Sequence, residues 1–237
     1  MDTSARPHIA SNGYINWDGK TGMFPFTEQV PAQRSSKNRE KGTIETKAKQ
    51  TITRDIIKKM ILEEVMPAIR ATWPENSCKT IWIQQDNARP HINIDDPEFL
   101  EEANKDGFDM HLICQPAQSP DLNVLDLGFF RAIQAIQHQE FPESVEELVE
   151  SVLTSYASYD PRIINMTWLH SMYVMEEIMK VKGGNNFKNP HKGKKRLQRL
   201  GLLPSYVEVS NELVLDSINF LNEGIIERGE SSNANML

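Results

Sequence analysis

The feature that most constrains this chain is a pair of short apolar runs, each ending in a proline-punctuated segment that carries a carboxylate. The first is Ile81-Trp82-Ile83-Gln84-Gln85-Asp86-Asn87-Ala88-Arg89-Pro90-His91. The second begins at Met110-His111-Leu112-Ile113-Cys114 and continues as Gln115-Pro116-Ala117-Gln118-Ser119-Pro120-Asp121-Leu122-Asn123-Val124-Leu125-Asp126. Both runs are too short to distinguish strand from buried helix by period alone. β-branching and the flanking breakers favour strand. Asp86 then falls at or just past a strand's C-terminal end, the edge where α/β sheets usually bind ligands. Alternatively, Asp86 caps the turn through Asn87 and Pro90. Pro116 and Pro120 force an extended path after the second run, and Asp121 or Asn123 can cap a helix through Leu125, Phe129 and Ile133. Asp126 sits in the first turn or so of that helix.

Two acids held on the ends of rigid elements suggest a metal centre. Mg2+ is a hard cation that prefers carboxylate and water oxygens, and a pair of such ions can activate an attacking hydroxyl while stabilising a leaving phosphodiester oxygen. A centre of that kind needs more acids than these two.

With 237 residues, 39% of them hydrophobic, the chain is sized for one principal domain with extensions. No apolar run is long enough to cross a membrane, and the first residues lack an apolar signal core. Cys78 and Cys114 read as buried thiols of a reducing compartment. The net charge is -7, but it is unevenly distributed. Residues 34–59 carry nine Lys or Arg against three acids, residues 178–200 carry eight and no acid, and residues 132–161 carry six acids and no base. A polyanion could meet local basic surfaces despite the total, or the runs could simply be solvated faces.

Towards the N-terminus, Asn12-Gly13 and Asp18-Gly19 are hairpin signals around Tyr14-Ile15-Asn16-Trp17, and Pro25 and Pro31 limit the strands that follow. Residues 34–49 lack a hydrophobic period and read as a basic loop. A helix follows with Ile52, Ile56, Met60 and Ile57, Ile61, Val65, Ile69, Trp73 on one side, bent or interrupted at Pro67. Beyond the acids, Ser144-Val145-Glu146-Glu147 has capping-box form. A helix over about Ile163–Val181 presents Trp168, Met172, Met175 and Met179 as an adaptable core stripe. Gly183-Gly184 ends it. Lys192, Lys194, Lys195, Arg196 and Arg199 then form the best local candidate for phosphate contact, by charge rather than base readout; a nuclear address or a solvated tail are the other readings. Leu213, Leu215, Ile218 and Leu221 continue as one helix, with fraying expected over Gly229–Asn235.

The two acid-bearing segments, as Asp86-Asn87-Ala88-Arg89-Pro90-His91 and Ser119-Pro120-Asp121-Leu122-Asn123-Val124-Leu125-Asp126 with 39 residues between Asp86 and Asp126, resemble the signature of mariner-type transposases, in the plant-like branch of the Tc1/mariner group. Further similarity runs through Phe24-Pro25-Phe26, Arg34-Ser35-Ser36-Lys37-Asn38, Asp126-Leu127-Gly128-Phe129-Phe130 and Met179-Lys180-Val181-Lys182-Gly183-Gly184-Asn185-Asn186, covering roughly residues 5–205. The resemblance implies an α/β fold of the RNase H-like type, a mixed sheet flanked by helices, in which three acids hold two Mg2+ or Mn2+ ions for cutting and joining DNA. Asp86 would be the second acid and Asp126 the third. Asn87, His91, Asp121 and Asn123 would support the site. The segment that carries the family's first acid, on the first strand at the centre of the sheet, has no counterpart before Ala5-Arg6-Pro7, nor has the DNA-recognising helix-turn-helix region. Asp18-Gly19 matches a hairpin turn of the family rather than that acid. The expected organisation is a partial catalytic domain over residues 1–205 and a helical or frayed extension over 206–237. DNA is the expected partner, a homodimer is allowed, a membrane is not expected, and the nucleus is the implied location. The expected function is that of a transposase fragment inactive on its own, or a non-catalytic DNA-binding or protein-interaction module derived from one.

Overall fold

The structure, a computed structural model, describes residues 1–37, 39–137 and 142–234. Asn38, within the basic segment cited above, lies outside the described residues. The chain opens as one long, irregular antiparallel hairpin. Strands β1 (Asp2–Ser4) and β2 (His8–Ile9) run out, and β3 (Ile15–Trp17) and β4 (Lys20–Met23) return, with β2 paired to β3 and β1 to β4. Asn12-Gly13 is the tip, where the Asn12 side chain accepts from Tyr14 N and Gly13 takes φ 83°. Asp18-Gly19, by contrast, is no hairpin end but the bulge where β3 passes into β4. Asp18 Oδ1 accepts from Lys20 N, and Gly19 O accepts from Ala5 N at 2.7 Å. A two-residue turn signal read locally cannot distinguish a tip from a bulge, because both need the same positive φ.

A second hairpin pairs β5 (Thr27–Pro31) with β6 (Ile44–Ala48). The basic segment expected to be loop throughout thus ends in a strand. Its alternation is weak because both faces of β6 are largely exposed or half-exposed, so burial leaves no imprint on the sequence.

The apolar stripe after residue 50 forms a continuous helical rod. Helix α1 (Arg54–Met60) starts on Thr53, whose side chain accepts from Ile56 N, and α2 (Met66–Thr72) follows after a π-turn over Ile61–Val65. The widened turn precedes Pro67, whose ring has no N–H to give and would crowd a regular turn; the extra residue absorbs that misfit. Strands β7 (Thr80–Gln85) and β8 (Asp109–Cys114) are parallel, in register from Thr80 with Asp109 to Gln85 with Cys114. The connection between them carries α3 (Pro97–Ala103), capped by Asp96. Ile57, Met60, Ile61, Val65, Met66 and Ile69 from the rod pack with Ile81, Phe99, Met110 and Leu112 in the principal core.

After β8 a 3₁₀ turn (Pro120–Leu122) and a π-turn (Leu125–Phe129) lead into α4 (Phe130–Gln137). Helices α5 (Val145–Ser158), α6 (Pro161–Lys180), α7 (Lys194–Arg199) and α8 (Asn211–Ala234) complete the chain. Ser144 caps α5 as expected, accepting from Glu147 N, while Glu147 reaches back to Glu143 N. A second core joins Phe129, Ile133, Tyr156, Tyr159 and Ile164. Two expectations are corrected in this half. On α6 the buried face is Ile164, Met166, Leu169, Tyr173 and Val174, whereas Met175 of the methionine stripe is 45% exposed. Helix α8 continues through residues expected to fray, as far as Ala234. Cys78 and Cys114 are both exposed free thiols rather than buried ones.

The architecture is mixed α/β, built of four two-stranded sheets among the described residues, with helices packed around them. Among these residues no helix is long and apolar enough to cross a membrane.

Candidate functional site

Because β7 and β8 are parallel, both C-terminal ends face the same side, and both acid-bearing segments leave from there. Backbone pairing extends one residue beyond the strands, with Gln115 N donating to Gln85 O at 2.8 Å. Side chains then tie the two segments together. Asn87 Nδ2 donates to Gln115 O at 2.6 Å, and Gln84 Nε2 donates to Leu122 O at 3.0 Å. Buried Gln85 closes the first loop by donating to Ile92 O at 2.7 Å, and Gln115 closes the second by donating to Ser119 O at 2.8 Å. These amides are arranged to hold two loops in register at one sheet edge.

Asp86 immediately follows β7, and its side chain is 55% exposed. One oxygen, Oδ1, accepts from Ala88 N and from His91 Nε2, both at 2.8 Å. The carboxylate therefore closes the turn through Asn87, as the turn-cap reading expects, while the side chain stays more than half exposed. His91 thus orients Asp86, and Arg54 braces the loop from α1 by donating to His91 O and Arg89 O. On the second segment Asn123, rather than Asp121, is the capping residue. Its Oδ1 accepts from Leu125 N at 3.0 Å. Asp121 lies in the 3₁₀ turn and Asp126 in the π-turn, both exposed. The helix carrying Asp126 is broken at Gly128, so Asp126 sits on a short separate turn anchored by buried Phe129.

Among the described residues no three His, Cys, Asp or Glu side chains converge as a metal-ligand set. Asp86 and Asp126 are hard oxygen donors of the right type for Mg2+ or Mn2+, but two carboxylates without a third do not make a complete two-metal centre.

The basic run is only partly a surface feature. Lys192, Lys195, Arg196 and Arg199 are exposed, whereas Lys194 is half-buried and burial lowers its pKa. The run lies against α6. Lys192 Nζ stands 5.6 Å from the Tyr173 ring centroid, and the His170 imidazole is pushed to lower pKa by burial, with Lys194 and His191 adding to the effect and Asn189 and Asp121 opposing it. Lys194 of the basic segment and Asp121 of the second acid-bearing segment thus both lie within electrostatic reach of His170.

A second concave surface lies between the tip of the first hairpin and the α6–α7 region. It encloses about 960 Å³ and is lined by Arg6, His8, Arg162, Asn165, Gln198 and Arg199 among others, with no carboxylate in its lining. Arg6 is fixed by donating through Nε to Asn165 Oδ1 at 3.0 Å. Arg162 is steadied by Asp160 at 3.6 Å and by Gly13 O at 3.3 Å. Only Arg199 of this cleft belongs to the basic run. Arg6 and Arg162 are isolated in the sequence and join Arg199 only through tertiary packing, so no local charge count could reveal them.

The chain matches no protein-family model, no curated protein and no solved structure.

Proposed function

We propose that this chain is part of the RNase H-like catalytic domain of a mariner-type transposase, one that engages DNA through its arginine-lined cleft and does not cut DNA by itself. The observation that carries the reading is the meeting of the Asp86 and Asp121–Asp126 segments at the shared C-terminal edge of β7 and β8, tied by Asn87 to Gln115 and Gln84 to Leu122. That edge is where α/β sheets hold ligands, and the paired motifs carry the family resemblance. Asp86 and Asp126 would supply two of the acids for Mg2+ or Mn2+, and the chain offers no third beside them among the described residues. Hydrolysis of a phosphodiester needs the attacking and leaving oxygens stabilised together, so binding without cleavage is the expected behaviour. Arg6, Arg162 and Arg199 supply cations to a cleft whose lining holds no carboxylate, although Asp160 partly pairs Arg162 from outside it, and exposed Lys195 and Arg196 lie close by in sequence.

Binding of a fluorescent DNA duplex by the purified protein, measured across a salt series, tests the DNA half of the proposal. Two or three phosphate contacts predict a log–log salt slope of about -2 to -3, and Arg199→Glu should weaken binding and flatten the slope. No binding at low salt, or binding indifferent to salt, would overturn it. Incubation of supercoiled plasmid with Mg2+ or Mn2+ tests the other half. The plasmid should stay intact; metal-dependent nicking abolished by Asp86→Ala would refute the claim of inactivity.

A further inference from the structure

The arginine-lined cleft contains one cation that lacks a counter-charge. Arg6 is half-buried, and both acceptors its guanidinium finds are neutral: Asn165 Oδ1, 3.0 Å from Nε, and Met172 Sδ, 3.7 Å from a terminal nitrogen. Burial lowers its pKa, and no charged neighbour among the described residues opposes the effect. Withdrawing a guanidinium from water costs free energy that a paired anion normally offsets, and its planar fork of N–H donors matches a phosphate. Arg162 and Arg199, which share the cleft, are exposed.

The rest of the lining suits bases. His8, exposed on β2, meets Trp17 edge-on with ring centroids 5.2 Å apart, and Trp17 meets Trp73 in the same way at 4.9 Å. Trp73 packs against the principal core, so the imidazole is braced by a row of rings and presented rigidly to the cleft. Asn16 and Gln198 add side-chain amides, each with a donor and an acceptor, the combination that pairs with base edges. In a duplex those base faces are already stacked and the pairing edges occupied. Its phosphates lie on a stiff, convex cylinder, which can meet exposed Arg162 and Arg199 but offers His8 no free base face. A single strand bends readily, can turn a phosphate inward to Arg6, and leaves both faces and edges of its bases free.

We propose that this cleft takes single-stranded DNA in preference to duplex, with Arg6 anchoring a phosphate and His8 stacking on an unpaired base. The inference rests on the reading of the cleft as a DNA-binding surface and specifies the form of DNA it selects. Arg162 and Arg199 hold neighbouring phosphates, while Asn16 and Gln198 meet base edges. The enclosed volume of about 960 Å³ leaves room for a short stretch of one strand.

The test is fluorescence anisotropy on the full chain with three labelled probes: a short thymidine strand, an abasic strand of the same length, and the matching duplex. At one low salt concentration the thymidine strand should bind roughly tenfold or more tighter than either of the others. His8→Ala should lose about fivefold or more of that affinity, and His8→Phe, which keeps a ring, should retain it, with the far-ultraviolet circular dichroism of both matching the parent. Arg6→Gln should flatten the log–log salt slope for the strand by about 0.7, the share of one phosphate contact on single-stranded DNA. Duplex or abasic strand binding as tightly as the thymidine strand, folded His8→Ala binding the strand undiminished, or an unchanged slope in folded Arg6→Gln would overturn the preference while leaving the DNA-binding reading in place. Failure of both strand and duplex to bind would overturn the two together.

Discussion

Asp2, at the start of β1, carries a largely buried carboxyl. Burial pushes its carboxyl up to about 7, against the partial opposition of the Met1 ammonium and the Thr3 N–H. An unperturbed aspartate titrates near 3.9, so the folded chain holds this proton through about three decades of pH in which the unfolded chain has released it. Between about pH 4 and pH 7 the unfolded state therefore binds fewer protons than the folded one, and stability falls as pH rises. At about 1.4 kcal/mol per decade the complete loss approaches ~4 kcal/mol, a ceiling that any water reaching the carboxyl reduces. Asp2→Asn has no proton to lose. The variant should therefore be more stable than the parent by up to ~4 kcal/mol above pH 7, with the gain shrinking to nothing near pH 4. Urea unfolding of both proteins at intervals from about pH 5 to 8 measures the difference directly. The carboxylates held low by their partners, Asp96, Glu102 and Glu146, lose their stabilising effect only at more acidic pH, and the buried Met1 ammonium, lowered by burial, acts in the opposite sense at the alkaline end. These effects are common to parent and variant to first order, apart from the direct coupling of Met1 to Asp2. Parallel stability profiles for the two proteins would refute the argument.

Two further substitutions probe how the first hairpin is held. The Tyr156 hydroxyl bridges its two strands, donating to Thr3 O at 2.9 Å and accepting from Gly22 N at 3.1 Å, so Tyr156→Phe strands a buried donor and acceptor. It should cost about 1–3 kcal/mol in urea unfolding; a loss under a few tenths would mean the bridge is not formed. Gly19 has φ 76° and a Cβ placed there would collide with Ala5 O and crowd Pro7 N, both of them backbone atoms. Gly19→Ala should therefore destabilise by about 1–3 kcal/mol and loosen exchange at Ala5, whereas an unchanged melting temperature would show that the bulge can relax.

Local patterns disclosed much of the chain. Ile81–Ile83 and Met110–Cys114 are strands, the stripe from Ile56 to Ile69 lies on a helical rod interrupted next to Pro67, with Ile52 and Trp73 falling just outside its ends, and Ser144 begins α5. Each depends on period, on a missing N–H, or on a cap, and such causes act within a few residues. β6 was illegible because neither of its faces is cleanly buried. The α6 methionines misled because a helix covered on several sides carries apolar residues outside its most buried face: Leu169 and Val174 are buried while Met175 is not. For the candidate site, sequence singled out Asp86, Asp126 and their motif residues, but not the division of work that makes Asn123 the cap, His91 the orienting partner of Asp86, and Gln84 and Asn87 the ties between segments.

What the sequence alone determined, then, is where the strongly patterned elements such as β7, β8, the helical rod and α5 stand and which carboxylates leave the ends of β7 and β8, since period, capping and proline chemistry act over short stretches of chain. Tertiary structure decided which of those elements meet. Arg6, Arg162 and Arg199 share a cleft although Arg162 stands 156 positions after Arg6, and Asp2 lines one cavity with Thr80–Gln84.

 Contacts of that kind depend on how far the packed helices carry distant segments towards one another, and on which strand edges the packing leaves open. No local period, cap or charge run encodes either quantity, because both are set by the summed burial of the two cores around Phe99 and Phe129.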